Sequence, residues 1–124
     1  MSNRILVIED NEQNMYLIHF LLEAHGHTVI EAYDGEEGIK RAKDSSPDII
    51  LLDIQLPGMD GYEIARIIRS TPGLETIPII AVTSYAMAGD REKILAAGAT
   101  DYIEKPINPA TFVEQIKVHF PNRE

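Results

Sequence analysis

The chain has 124 residues, no cysteine and a formal net charge of −9. That length fits one domain, over residues 1–124, and the missing thiols exclude a disulfide framework and a thiolate metal site. The acidity argues against nucleic-acid binding, which needs a basic face to displace counterions from phosphates, and disfavours a membrane-surface helix for the same reason.

No apolar stretch is long enough to span a bilayer, and Met1-Ser2-Asn3-Arg4 runs straight into a strand-like segment without a signal-peptide pattern. A soluble, cytoplasmic protein is expected. The excess of acids serves solubility or steers basic partner surfaces.

Ile5-Leu6-Val7-Ile8 reads as a strand. Asn11 to Ala24 then carries Met15, Ile18, Leu22 and Leu17, Leu21 at helical spacing, with Gly26 as its stop. Thr28 to Ala32 is a second strand. Asp34-Gly35-Glu36-Glu37 has the form of a capping box, and the second helix that follows fails at Ser45-Ser46-Pro47. Asp48 to Asp53 is the third strand. A turn-rich loop with Pro57, Gly58 and Gly61 leads into a third helix bearing Tyr62, Ile64, Ala65, Ile67 and Ile68, which ends at Thr71-Pro72-Gly73. Pro78 starts the fourth strand, where a missing donor is tolerated. A fourth helix covers Ala88 to Ala97 with Gly98 as cap, and Asp101 to Lys105 is the fifth strand. Asn108-Pro109 supplies an N-cap and a first-turn proline for a fifth helix that buries Phe112, Val113 and Ile116.

Five strands alternating with five helices through short connections give an open parallel sheet covered on both faces. The nearly continuous apolar runs agree, because strands buried on both faces read that way. In such sheets ligands bind beyond the carboxyl ends of the strands. Glu9 and Asp10 follow the first strand, Asp53 ends the third, Thr83 the fourth and Lys105 the fifth. Three carboxylates, a hydroxyl and an ammonium therefore gather along one edge, a set suited to a hard divalent cation and a phosphoryl group.

Four motifs in this order, Glu9-Asp10, the loop from Asp53 to Gly61, Ala81-Val82-Thr83-Ser84 and Lys105-Pro106, resemble the receiver domain of bacterial two-component response regulators over essentially the whole chain. The resemblance implies a flavodoxin-like fold with strand order 2-1-3-4-5, an order the handful of periodic segments does not itself fix. It further implies Asp53 as phosphoryl acceptor, where a lone strand-end aspartate would otherwise cap a turn. Mg2+ would bind Asp10, Asp53 and the backbone carbonyl of Gln55, with Glu9 acting through a water. The family more often carries two aspartates at the first pair, so Glu9 is a departure; Asp10 has an alternative role as helix cap. Lys105 supplies charge to the phosphoryl oxygens, with a cis Lys105-Pro106 bond, and Thr83 and Tyr102 form a switch that alters the surface over helix four, strand five and helix five.

A receiver takes its phosphoryl group from a histidine kinase or histidine phosphotransferase and signals to a downstream protein target; it is not an enzyme in the ordinary sense, although it carries Mg-dependent self-phosphorylation and self-dephosphorylation chemistry. The segment Glu9 to Met15 and the single-domain form resemble regulators of cell-division and developmental phosphorelays, acting as monomers, and a chemotaxis-type motor switch is the alternative. Helix one, flanked by the acidic site, is the expected docking surface, with Met15 and Ile18 as apolar candidates, one of which could equally be a core contact. A Mg-dependent phosphatase with an aspartyl nucleophile needs a second Asp two positions on, where Gln55 stands. A flavodoxin-like cofactor carrier needs a Gly/Ser/Thr loop where Glu9 to Gln13 has acids. The two histidines of His25-Gly26-His27 read as a surface turn.

Overall fold

The structure, a computed structural model, describes residues 3–56, 58–84 and 88–120. Met1 and Ser2, ahead of the first expected strand, and Pro57 in the turn-rich loop after Asp53, lie outside the described residues. In chain order the elements are β1 (Arg4–Ile8), α1 (Glu12–Ala24), β2 (Thr28–Ala32), α2 (Gly35–Ser45), β3 (Ile49–Asp53), α3 (Gly61–Arg69), β4 (Ile79–Thr83), α4 (Ala88–Ala96), β5 (Asp101–Glu104) and α5 (Phe112–Lys117).

All strand pairs are parallel and the sheet order is β2-β1-β3-β4-β5. β3 and β4 are buried along their whole length, as their unbroken apolar sequences require. Successive side chains of each strand feed opposite faces. Leu6, Ile8, Ile50, Leu52 and Ala81 pack with Ile64, Ala65 and Ile68 of α3 and Ile94 of α4. Ile5, Val7, Ile49, Leu51 and Ile80 pack with Met15, Ile18 and Leu22 of α1 and Phe112 and Ile116 of α5. Each fully buried Leu, Ile or Phe contributes about 1.5–3 kcal/mol of transfer free energy. Two such clusters are what clamp the sheet.

Local chemistry starts the helices. Asn11 Oδ1 accepts the N–H of Asn14 at 2.9 Å, Asp34 Oδ1 that of Glu37 at 2.8 Å, and Asp60 Oδ1 that of Glu63 at 2.8 Å. The predicted capping box is present in shifted form, with Glu37 Oε1 accepting from Tyr33 rather than from the cap residue. The fifth helix differs from expectation in where it begins. Asn108 Oδ1 accepts from Ala110, two residues on, as a cap does, but the helix proper begins at Phe112 behind Thr111, which makes no side-chain cap bond. The turn is nonetheless continuous with α5, since the N–H of Phe112 reaches the Asn108 carbonyl at 2.9 Å.

Gly61 is required by packing. A Cβ there would stand 2.5 Å from the Cα of Ile54 and 3.1 Å from the carbonyl oxygen of Asp53, so α3 starts pressed against the backbone that follows β3. Gly26, which follows α1, has φ +85°, the left-handed conformation expected of a helix stop.

Candidate functional site

Strand register levels the chemistry. Ile8 pairs with Leu52, Asp53 with Val82, and Thr83 with Glu104, so the residues at and just beyond the carboxyl ends of β1, β3, β4 and β5 form one row. Lys105 continues the ladder one step past β5, its N–H donating to the Thr83 carbonyl at 2.8 Å, and its bond to Pro106 is cis.

Within this row Glu9, Asp10 and Asp53 bring carboxylate oxygens to within 4.8 Å of one another. Asp53 Oδ1 accepts the N–H of Gln55 at 2.9 Å, and Oδ2 lies 3.3 Å from Lys105 Nζ. Glu9 Oε2 accepts the N–H of Asn11 at 3.1 Å, while Oε1 lies 3.4 Å from the same ammonium. That last approach is an ion pair without hydrogen-bond alignment, so Glu9 Oε1 is a buried acceptor with no hydrogen-bond partner. Lys105 thus sits between two carboxylates that are almost wholly out of water, with Glu9 1% and Asp53 3% exposed.

Burial pushes the Glu9 carboxyl up to about 7; the N–H of Asn11 and the charge of Lys105 pull it down, and neighbouring Asp53 raises it. Like charges about 4 Å apart repel by roughly 1–4 kcal/mol at surface-like dielectric values, and one lysine cannot offset three carboxylates. The donor set therefore fits a hard divalent cation. It is all oxygen, it includes an orphaned buried acceptor, and its third member, Asp10, is exposed and gives access. Asp10 is not committed to capping α1, because Asn11 makes that bond.

Thr83 is fully buried at the end of β4. Tyr102 does not join the acids. It pairs in register with Ala81, two residues before Thr83, and its half-buried ring packs on the same face of the sheet as Ala81. Alternation along β4 puts Thr83 on that face too.

The docking role expected of α1 through Met15 or Ile18 needs correcting. Met15 and Ile18 are each 1% exposed and belong to the core, because they lie on the stripe that faces β1 and β3. The accessible apolar residue beside the site is Leu17. With Asn14, Ser84, Lys105, Pro106 and Ile107 it lines an open groove. The sequence reading also passed over the Gln55 side chain, whose Oε1 accepts the N–H of Ser84 at 2.9 Å and ties the ends of β3 and β4 together. A long amide placed two residues past a strand end was the available signal. His27, by contrast, serves the fold, accepting the N–H of Asn3 and meeting Phe120 edge-on.

These features define a doubly wound α/β domain whose sheet edge holds an acid-lined cation site against a strand-end aspartate. Residues 5–117 match the family described as the response regulator receiver domain. The polar-differentiation response regulator DivK of Brucella ovis is 43% identical over 117 residues, covering 94% of this chain and 95% of that protein. Among solved structures, the receiver domain of the sensor histidine kinase PA1611 from Pseudomonas aeruginosa, which holds a magnesium ion in its active site cleft, superposes with TM-score 0.87 at 36% identity, covering 96% of this chain and 98% of that one. The chemotaxis response regulator CheY4 of Vibrio cholerae superposes with TM-score 0.92 at 25% identity, covering 97% and 100%. The chain belongs to the response regulator receiver domain family. Membership implies a kinase as the source of the phosphoryl group. Among the described residues no helix is long and apolar enough to cross a membrane.

Proposed function

We propose that this receiver accepts a phosphoryl group on Asp53 from a phosphohistidine on a histidine kinase or histidine phosphotransferase and passes the signal to a protein partner. The observation that carries the reading is the placement of Lys105 Nζ 3.3 Å from Asp53 and 3.4 Å from Glu9, inside a cluster of three carboxylates. A carboxylate oxygen of Asp53 attacks phosphorus in line, the P–N bond breaks with its electron pair leaving on the imidazole, and an acyl phosphate forms. Lys105 stabilises the equatorial oxygens, where charge accumulates in a loose transition state. Asp10, Asp53 and the Gln55 carbonyl would hold Mg2+, with Glu9 behind a water; the ion supplies further positive charge to the phosphoryl group. Hydrolysis by attack of water at phosphorus returns the Asp53 carboxylate and inorganic phosphate.

The groove beside Leu17 and Ile107 is where a donor would dock, since it opens next to Lys105. Thr83 then moves its hydroxyl toward the new phosphoryl oxygens and Tyr102 turns into the space beside it. This changes the surface of α4, β5 and α5. Relatives named for polar differentiation support a place in a phosphorelay that governs cell division or development. A hydrolytic enzyme is disfavoured because Gln55, two positions after the acceptor, has no acidic proton to give a leaving group.

Asp53→Asn tests the assignment. Wild-type protein incubated with acetyl phosphate and Mg2+ acquires an acid-labile label, and the variant stays unlabelled; labelling of Asp53→Asn at the wild-type level overturns it.

A further inference from the structure

Two contacts made by α4 are not used by the chemistry above. This helix is lightly seated: among its described residues only Ile94 is buried, and Leu95 is half-exposed. Yet two of its cations lie over aromatic rings of neighbouring elements. The guanidinium carbon of Arg91 stands 5.3 Å from the ring centre of Tyr102 in β5, and Lys93 Nζ stands 5.2 Å from that of Tyr62 in α3. Both are inside the roughly 6 Å reach of a cation–π contact. Residues two apart on a helix point about 200° from each other, so the two contacts grip α4 from opposite flanks.

Tyr102 is the interesting end. Its partner in the ladder is Ala81, and the next residue of β4 on the same face is Thr83. The ring therefore stands beside a small side chain of β4 and diagonal to the hydroxyl-bearing position on that face. Arg91 engages the ring from the α4 side, while Thr83 lies further along the strand direction.

We propose that Arg91 is a positioning residue that holds the Tyr102 ring in its half-exposed place and so sets how readily the output surface follows chemistry at Asp53. The inference rests on the reading that Tyr102 turns toward Thr83 when the acceptor is modified. Turning inward takes the ring face away from the guanidinium, so the contact favours the unmodified arrangement. An exposed cation–π contact is a modest weight, equivalent to about a two- to five-fold change in the equilibrium.

The test follows the Tyr102 ring by NMR with and without Mg2+ and beryllofluoride, in wild type, Arg91→Leu, Arg91→Lys and Lys93→Leu. In Arg91→Leu the ring resonances of the unmodified protein move along the line toward the activated positions, and the half-saturating beryllofluoride concentration falls about two- to five-fold. Arg91→Lys, which keeps a cation, stays near wild type. Lys93→Leu shifts Tyr62 and leaves Tyr102 in place. The latch is overturned if Tyr102 in Arg91→Leu matches wild type, if Arg91→Lys behaves as Arg91→Leu, or if Lys93→Leu moves Tyr102 equally, which would mean general loosening of α4. A wild-type ring that ignores beryllofluoride overturns the switch reading and the latch with it.

Discussion

Glu9 and Asp10 are adjacent in the chain and live in opposite surroundings: Glu9 is 1% exposed with one oxygen on the N–H of Asn11, whereas Asp10 faces solvent. The buried member is the one whose ionisation is costly, and its carboxyl is raised to about 7, first by burial.

A pH dependence of metal binding follows. With a native value near 7 against the ordinary 4.5 of a free glutamate, the native state holds an extra proton between those values. Metal-free protein is therefore most stable at the acid end of that window and loses stability as pH rises through it. Mg2+ binding, which favours the carboxylate, weakens as pH falls below about 7, by at most tenfold per unit from this one group. Mg2+ titrations and EDTA-treated thermal melts from pH 5 to 8 measure both trends, and Glu9→Gln flattens them.

Lys105 faces two buried carboxylates, so its removal takes away the ammonium that lies between them. Lys105→Ala is expected to slow acetyl-phosphate labelling of Asp53 by roughly 10²- to 10³-fold, as for loss of one preorganised electrostatic donor. Rapid-quench labelling at saturating Mg2+ reads the effect.

On α1, core and surface are separable. Met15→Ala empties a core site and should cost about 2–5 kcal/mol in urea unfolding. Leu17→Ala, on the groove, should cost much less and instead slow phosphoryl transfer from a phosphorylated histidine phosphotransferase. Equal stability losses for the two would contradict the burial pattern.

Gly61→Ala drives a methyl against the Ile54 backbone at 2.5 Å and close to the Asp53 carbonyl. Overpacking of this kind costs about 1–3 kcal/mol, and here the shift falls on the strand end that carries Asp53. Lower Tm together with weaker Mg2+ binding is the expected pair of outcomes.

The strand ends were legible in sequence because a run such as Ile49 to Leu52 stops on a polar group, and a parallel sheet sends all such ends to one edge. Side-chain assignments across elements were harder. Met15 and Leu17 are both apolar residues of one helix, and only the packing against β1 and β3 tells which is core. The contacts from Gln55 to Ser84 and from Arg91 to Tyr102 join different elements, so no local periodicity announces them. The start of α5 was harder to read, because the Asn108 side chain takes the N–H of Ala110 as a cap does while the regular helix begins only at Phe112.

Because the Asn11 side chain caps the first turn of α1, the neighbouring Asp10 is spared that duty. An exchange of Asp10 for Asn is thus a clean instrument: it should cut Mg2+ affinity while circular dichroism and melting temperature in EDTA stay unchanged. The fold has insulated its scaffold from its chemistry by a single position, which lets the site be retuned without rebuilding the helix that carries it.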